Sequence, residues 1–208
     1  MKNLLIIGTG GHARPIISTA KQQTDFSICG LVDISFNGQN ESILGIPVLG
    51  GNEVLLEYET SSTAIIIAIG DNKLRKKTYL EILKKGYNLP TLIHPTAYIS
   101  EFVNLGQGNY IGPFAHLGPN VSIGNANIVN SCANLEHEVT IGDYSQIAPN
   151  SVICGRCNIG DNVFIGANST VIEQLIISND TYIGAGSVIV NSIHQSGKKF
   201  LGVPGRMV

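Results

Sequence analysis

The chain has no tryptophan, only two methionines and little charge: 13% of its 208 residues are Asp, Glu, Lys or Arg, and the formal net charge is −2. A balance so near neutrality provides no long-range field to gather nucleic acid or an anionic membrane surface, which excludes polyanion binding as an organising function. The longest apolar run, Ala64 to Ile69, is far short of the roughly 20 residues a membrane-spanning helix needs. At the N-terminus Lys2 precedes only Leu4 to Ile7 before Gly8, too little for the apolar core of a secretory leader. The expectation is a cytoplasmic protein with no membrane and no nucleic-acid partner. Cysteine is scarce as well. The four, at 29, 132, 154 and 157, include one C-x-x-C, "CGRC", but it has neither a second Cys/His pair at metal spacing nor a helix start to activate a thiol. Cys157 falls on a repeat position that otherwise takes small residues, so it reads as structural, and no metal site is expected.

What the chain does have is glycine, 24 residues of it, and a period of six. Ile93, Ile99, Leu105, Ile111, Leu117, Ile123, Val129, Leu135, Ile141, Ile147, Ile153, Ile159, Ile165, Val171, Ile177, Ile183 and Ile189 place an aliphatic residue in 17 consecutive hexads with no insertion. Four places later comes a mostly small or β-branched residue, as at Ala97, Val103, Ala115, Val121, Ala133, Val139, Ser145, Ser151, Ser169 and Ser187. A chain that turns a corner every six residues, with an aliphatic inside and a small residue near the corner, is a parallel β-helix. Three hexads close one triangular coil, so residues 18 apart stack, and at strand spacing the prism is about 27 Å long. Its two ends expose sheet edges that need covers. The N-terminal domain and the tail from Gln195 to Val208 are available for that.

Residues 1–90 follow a different pattern, βαβ. "LLII" reads as a buried strand, "GTGG" as a turn, and residues 12 to 23 as a helix; "FSICGLVD" is a second strand ending at Asp33. Residues 51 to 58 read as helical, "TAIIIAI" as a third strand, and "NKLRKKTYLEILKKG" as a basic amphipathic helix stopped by Gly86. The fold class expected is a small Rossmann-like parallel α/β domain over 1–90, then a parallel β-helix of hexapeptide repeats over 91–208.

Two places carry chemistry. In "GTGGHA", Gly8, Gly10 and Ala13 fit G-x-G-x-x-[GA] between a strand and a helix, and Asp33 lies 20 positions beyond Ala13. Free N–H groups at such a helix start suit phosphate and the acidic residue suits a ribose hydroxyl, although a plain βα turn has the same outline. His12 sits in this turn, where a phosphate, base or sugar edge could accept from it. Gly70, Asp71 and Asn72 end the third strand on the same C-terminal rim, with helix capping the competing role for Asn72.

The second place is the triplet Glu136-His137-Glu138. The 18-residue neighbours of His137, Pro119 and Gly155, are small and leave room for the imidazole. Glu138 could bond one ring nitrogen and raise the basicity of the other, as a general base requires; a salt bridge to Arg156, one coil later, is the competing role. Glu136 stacks on Gly118 and Cys154 with no visible partner and reads as solvated. His94 and His194 lie at the prism ends. His116, with Asn134 stacked above it, is the rival base, and Asn130 either reaches an acceptor or bonds to backbone.

The unbroken hexads, "GTGGHA", "AIGDNKLRKK", "VNSCANLEHEVTIGDYSQIAP" and the closing "FLGVPGRMV" together resemble the sugar acetyltransferases of the NeuD/PglD type, over essentially the whole chain. The resemblance implies a left-handed β-helix, a homotrimer with acetyl-CoA in grooves between neighbouring prisms, and an N-terminal domain that holds a nucleotide-linked amino sugar. It places His137 as base, Glu138 as its orienting partner, Asn130 near the acceptor, and Gly10, Gly11, His12 and Asp33 around the nucleotide. Acetyl-CoA contacts then fall at Gln146, Ala167 and Ala185; some relatives carry histidine at the first. The activity implied is acetyl transfer from acetyl-CoA to the amine of a nucleotide-linked 4-amino-4,6-dideoxy sugar in bacterial surface glycan biosynthesis. The alternatives are O-acetylation of a sialic-acid-like sugar, an NAD-dependent oxidoreductase, for which the β-helix supplies no hydride-transfer site, and a nucleotide-sugar-binding oligomeric regulator.

Overall fold

The structure is a computed structural model that describes residues 2–38 and 41–208. The chain divides into two compact units, Met1–Leu92 and Ile93–Val208.

In the first unit the aliphatic runs become a parallel sheet. Strands β1 (Lys2–Ile7), β2 (Phe26–Val32), β3 (Ser42–Ile43), β4 (Ile46–Gly50) and β5 (Thr63–Ile67) lie in the order β3-β4-β2-β1-β5. β1 is central and wholly buried from Leu4 to Ile7, as expected of a strand covered on both faces. The first and third strands read from the sequence, β1 and β5, are neighbours in register from Asn3↔Thr63 to Ile7↔Ile67. The β3–β4 hairpin has no counterpart in the sequence reading: Pro47 interrupts the run, and only Val48 and Gly50 are buried. Leu49 nevertheless packs where Gly30 of β2 lacks a side chain, which brings β4 against the sheet.

Helix α1 spans Ala13–Ala20, three residues shorter at its C-terminal end than the sequence suggests. Beyond Ala20 the amides of Gln22 and Gln23 bond to residues three back, Thr19 and Ala20, so the chain tightens out of the α-helix. Residues 51–58 yield a 3-10 helix, Asn52–Glu57. Helix α2 spans Asn72–Lys84 and ends at Gly86, whose φ of 85° allows the turn out. Its buried residues are Arg75, Thr78, Tyr79 and Ile82, an i, i+3, i+4, i+7 stripe with a cation at its head.

In the second unit every hexad becomes a two-residue strand, and each strand as far as Thr170–Val171 pairs in parallel with the strand 18 residues on. Three sheets form the prism: one face holds Tyr98–Ile99 through Val188–Ile189, the next Asn104–Leu105 through Ile176–Ile177, and the third includes Tyr110–Ile111 through Tyr182–Ile183. The aliphatics from Ile111 to Ile189 are at most 3% exposed, and Ile93, Ile99 and Leu105 pack against them half-buried. The small residues line the inside of the corners. Ser145, Ser151 and Ser169 are fully buried, and each hydroxyl donates to a carbonyl of the following coil, on Gly160, Gly166 and Gly184. Cys157 occupies the same position and points its thiol at Ile172 O, a packing role. Asn109 and Asn127 also take it; their Oδ1 atoms accept from Asn127 N at 2.7 Å and Ser145 N at 2.6 Å.

Corner residues in the left-handed region recur 18 apart, as at Phe102, Asn120, Glu138, Arg156 and Gln174. Another column, Asn125, Asp143, Asp161 and Asn179, accepts the backbone N–H of the preceding coil at 2.6 to 2.9 Å. The tail extends the third face, with Lys199–Leu201 parallel to Tyr182–Ile183 and Arg206–Met207 turning back antiparallel. It covers the edge of that face, one of the two covers expected.

Candidate functional site

In the first unit a cleft of about 300 Å³ opens at the C-terminal ends of β1, β2 and β5, lined by Gly8, Thr9, Gly10, Gly11, His12, Asp33, Ile34, Ser35, Ala68, Ile69, Gly70 and Leu74. This is where open parallel sheets bind ligands. Gly8, at φ 114°, is demanded by packing, since a Cβ there would stand 2.8 Å from Ala68 O. Gly10 and Gly11 differ: their φ is not left-handed, and a Cβ on either would meet nothing within 4 Å. Neither the backbone nor the packing of the chain requires glycine at those two cleft-facing positions.

The helix start is less open than the motif suggests. Ala13 N and Arg14 N already donate to Gly10 O and Gly11 O. Asp33 is held in place, with Oδ2 accepting from Thr9 Oγ1 and Oδ1 from Ser35 N, both at 2.9 Å. His12 is half-buried; burial, and then the charge of Arg75, push its imidazole down to about 4, so it is neutral at physiological pH. Gly70 is in the lining, but Asp71 and Asn72 are not. Asp71 caps α2 by accepting from Leu74 N at 2.8 Å, and Asn72 Oδ1 accepts from Arg75 Nη2 at 2.7 Å. Both side chains engage the helix start, and the cap is Asp71 rather than Asn72.

In the sequence Arg75 is one cation among "KLRKK", with nothing local to distinguish it. It is 1% exposed and donates through Nη1 to Ile69 O and Gly70 O at 3.1 and 3.0 Å, so it holds the rim. Burial lowers its guanidinium to about 9, which leaves it charged at neutral pH. Extending the stripe Thr78, Tyr79, Ile82 back by three residues would have found it.

In the second unit His137 and Glu138 share an exposed corner. His137 Nδ1 lies 3.0 Å from Glu138 Oε2, and Arg156 Nε donates to that same oxygen at 2.8 Å. The two roles weighed for Glu138 are therefore filled at once. The bond from Arg156, then that from His137, hold the Glu138 carboxyl below the usual carboxylate range. A neutral His137 bonded to this carboxylate carries its proton on Nδ1 and its lone pair on Nε2. Above the ring lies Gly155, whose missing side chain the imidazole fills.

A second chain of bonds runs alongside. His116 Nδ1 meets Asn134 Oδ1 at 2.8 Å, and Asn134 Nδ2 donates to Glu136 Oε1 at 2.9 Å. Glu136 is thus partnered rather than simply solvated, because Asn134, two residues before it, has its amide within reach. Tyr98 stacks on His116 at 5.2 Å. Asn130 Oδ1 accepts from Ser131 N at 2.8 Å, a local backbone bond. Ala167 and Ala185 stack, with Gly186 N donating to Ala167 O at 2.8 Å, while Gln146 belongs to the neighbouring column between Ile128 and Phe164.

Residues 156–191, within the prism, match the bacterial transferase hexapeptide family of six repeats. The other unit is more particular, since residues 3–82 match the PglD N-terminal domain, and the chain joins the two. Over 114 residues it is 29% identical to UDP-N-acetylbacillosamine N-acetyltransferase of Bacillus subtilis, an alignment covering 53% of this chain and about half (51%) of that relative. The acetyltransferase domain of PglB from Neisseria gonorrhoeae superposes with a TM-score of 0.92 at 27% identity, each chain covered in full. A histidine-to-alanine variant of GDP-perosamine N-acetyltransferase from Caulobacter crescentus, in complex with CoA and GDP-perosamine, gives 0.94 at 29% identity, covering 100% of this chain and 97% of that one.

Proposed function

We propose that the protein transfers the acetyl group of acetyl-CoA to the amine of a nucleotide-linked 4-amino-4,6-dideoxy sugar, with His137 as general base. The observation that carries this reading is the His137–Glu138 pair: an imidazole 52% exposed at a prism corner, its Nδ1 engaged by a carboxylate and its Nε2 left as the proton acceptor. The relatives acting on bacillosamine and perosamine nucleotides support the substrate class.

In the reaction the amine attacks the thioester carbonyl and its proton passes to His137. The tetrahedral intermediate then collapses with loss of the CoA thiolate, which takes up a proton, and the amide remains on the sugar. No covalent enzyme intermediate is needed. Gly10, Gly11, His12, Asp33 and Gly70 would hold the nucleotide. The two glycines allow close approach of a diphosphate to backbone N–H groups, and neutral His12 offers a hydrogen bond rather than charge. Ala167, Ala185 and Gln146 would line the path of the pantetheine arm, and Asn130 would lie toward the acceptor. The enzyme would act in the cytoplasm as a homotrimer whose active sites lie between subunits. Among the described residues no helix is long and apolar enough to cross a membrane.

The test is mass spectrometry of UDP-, GDP- and dTDP-linked 4-amino sugars incubated with acetyl-CoA and protein. One nucleotide sugar should gain one acetyl group, and His137→Ala should lower turnover by about 10²–10⁴. Full turnover by that variant would eliminate His137 as the base, and absence of acetylation across the panel would reject the substrate class.

A further inference from the structure

Gly155 is a glycine that its own turn does not require. Left-handed φ falls on Arg156, at 61°, and not on Gly155. The residue is buried although Arg156 beside it is exposed. The nearest atoms a Cβ at 155 would meet all belong to one side chain: Nε2 of His137 at 2.5 Å, Cε1 at 2.6 Å and Cδ2 at 3.1 Å. Carbon atoms in contact sit about 3.5–4.0 Å apart, so an alanine there and this ring position cannot coexist. The following residue holds the backbone of His137 and the carboxylate bonded to its ring. Arg156 N donates to His137 O at 3.0 Å, and Arg156 Nε shares with His137 Nδ1 the Glu138 oxygen that fixes the ring's rotation.

We propose that the dipeptide Gly155–Arg156, one coil beyond His137, positions the imidazole for proton transfer, Gly155 by leaving the space the ring fills and Arg156 by anchoring the carboxylate that orients it. This rests on the reading of His137 as base. A methyl at 155 pivots the ring off its seat and away from Glu138. The fold loses little, because what must move is the free end of a half-exposed side chain. Catalysis loses more, since a displacement of about 1 Å at a reacting group costs on the order of 10²-fold.

Gly155→Ala should therefore lower kcat about 10-fold or more, with the KM for acetyl-CoA and the thermal midpoint unchanged. The effect should vanish in the His137→Ala background, because the ring it acts through is gone. Gly155→Ala turnover within about twofold of the parent, or the same fractional loss without His137, overturns the role of Gly155. Should Gly155→Ala fail to fold, Arg156→Leu carries the test: lower kcat at unchanged KM is expected, Arg156→Lys should recover part of it, and parental kcat in Arg156→Leu overturns the seat. If His137→Ala itself keeps parental turnover, the base assignment has failed, an outcome distinct from failure of the seat alone.

Discussion

His12 and Glu138 sit in surroundings that shift them in the same direction for different reasons, and each makes a titration prediction. His12 is half-buried near the charge of Arg75, which gives it a value of about 4 against an ordinary 6.5. Between those values only the unfolded chain takes up the proton, so His12 contributes stability that is lost as pH falls from about 6.5 toward 4. An NMR titration should place its midpoint near 4, and a midpoint above 6 would refute the burial argument. Glu138 is a carboxylate held low by two donors. Its contribution is present above the unfolded value and lost as pH falls through the lower folded one. Its side-chain carboxyl should titrate below the ordinary range, and Arg156→Leu should raise the midpoint; an unmoved midpoint would mean that Arg156 does not bear on it.

At the scale of elements, each hexad depends on one interior aliphatic, three to a coil. Ile153 is fully buried, one coil above Leu135 and beside the corner that carries Gly155. Ile153→Ala should cost about 2–5 kcal/mol in chemical denaturation, the usual range for a buried aliphatic. Helix α2 begins on a side-chain cap, and Asp71→Ala should cost about 0.5–2 kcal/mol. Because Asp71 caps rather than lines the cleft, that variant should leave the affinity for nucleotide sugar unchanged by calorimetry. The hexads were legible because an interior aliphatic and a small corner residue recur without interruption. The β3–β4 hairpin was not, because β3 is only two residues long and β4, interrupted by Pro47, buries only two positions. Arg75 was hidden for a related reason, since charge in a basic helix reads as surface until the buried stripe it belongs to is traced.

At the scale of the molecule, the proposed grooves between subunits require self-association. Sedimentation should give three chains per particle, and a monomer with full turnover would reject a shared site. Acidification should lower the thermal midpoint progressively from about pH 6.5 toward 4, with His12→Gln flattening the decline.

The sequence by itself determined the prism, its 18-residue stacking and the pairing of positions such as His116 with Asn134 and Glu138 with Arg156, because a strict period converts sequence separation directly into spatial neighbourhood. It also marked the cleft through Gly8, Gly10 and Asp33, since a strand-turn-helix is local. Only the tertiary structure decided that one oxygen of Glu138 serves both His137 and Arg156, that Glu136 bonds Asn134, that Asp71 and Asn72 are occupied by α2, and that the His137 ring lies over Gly155. Those outcomes depend on side-chain rotamers and on which of several donors reaches an acceptor first. Stacking fixes which residues are neighbours but not how their side chains point.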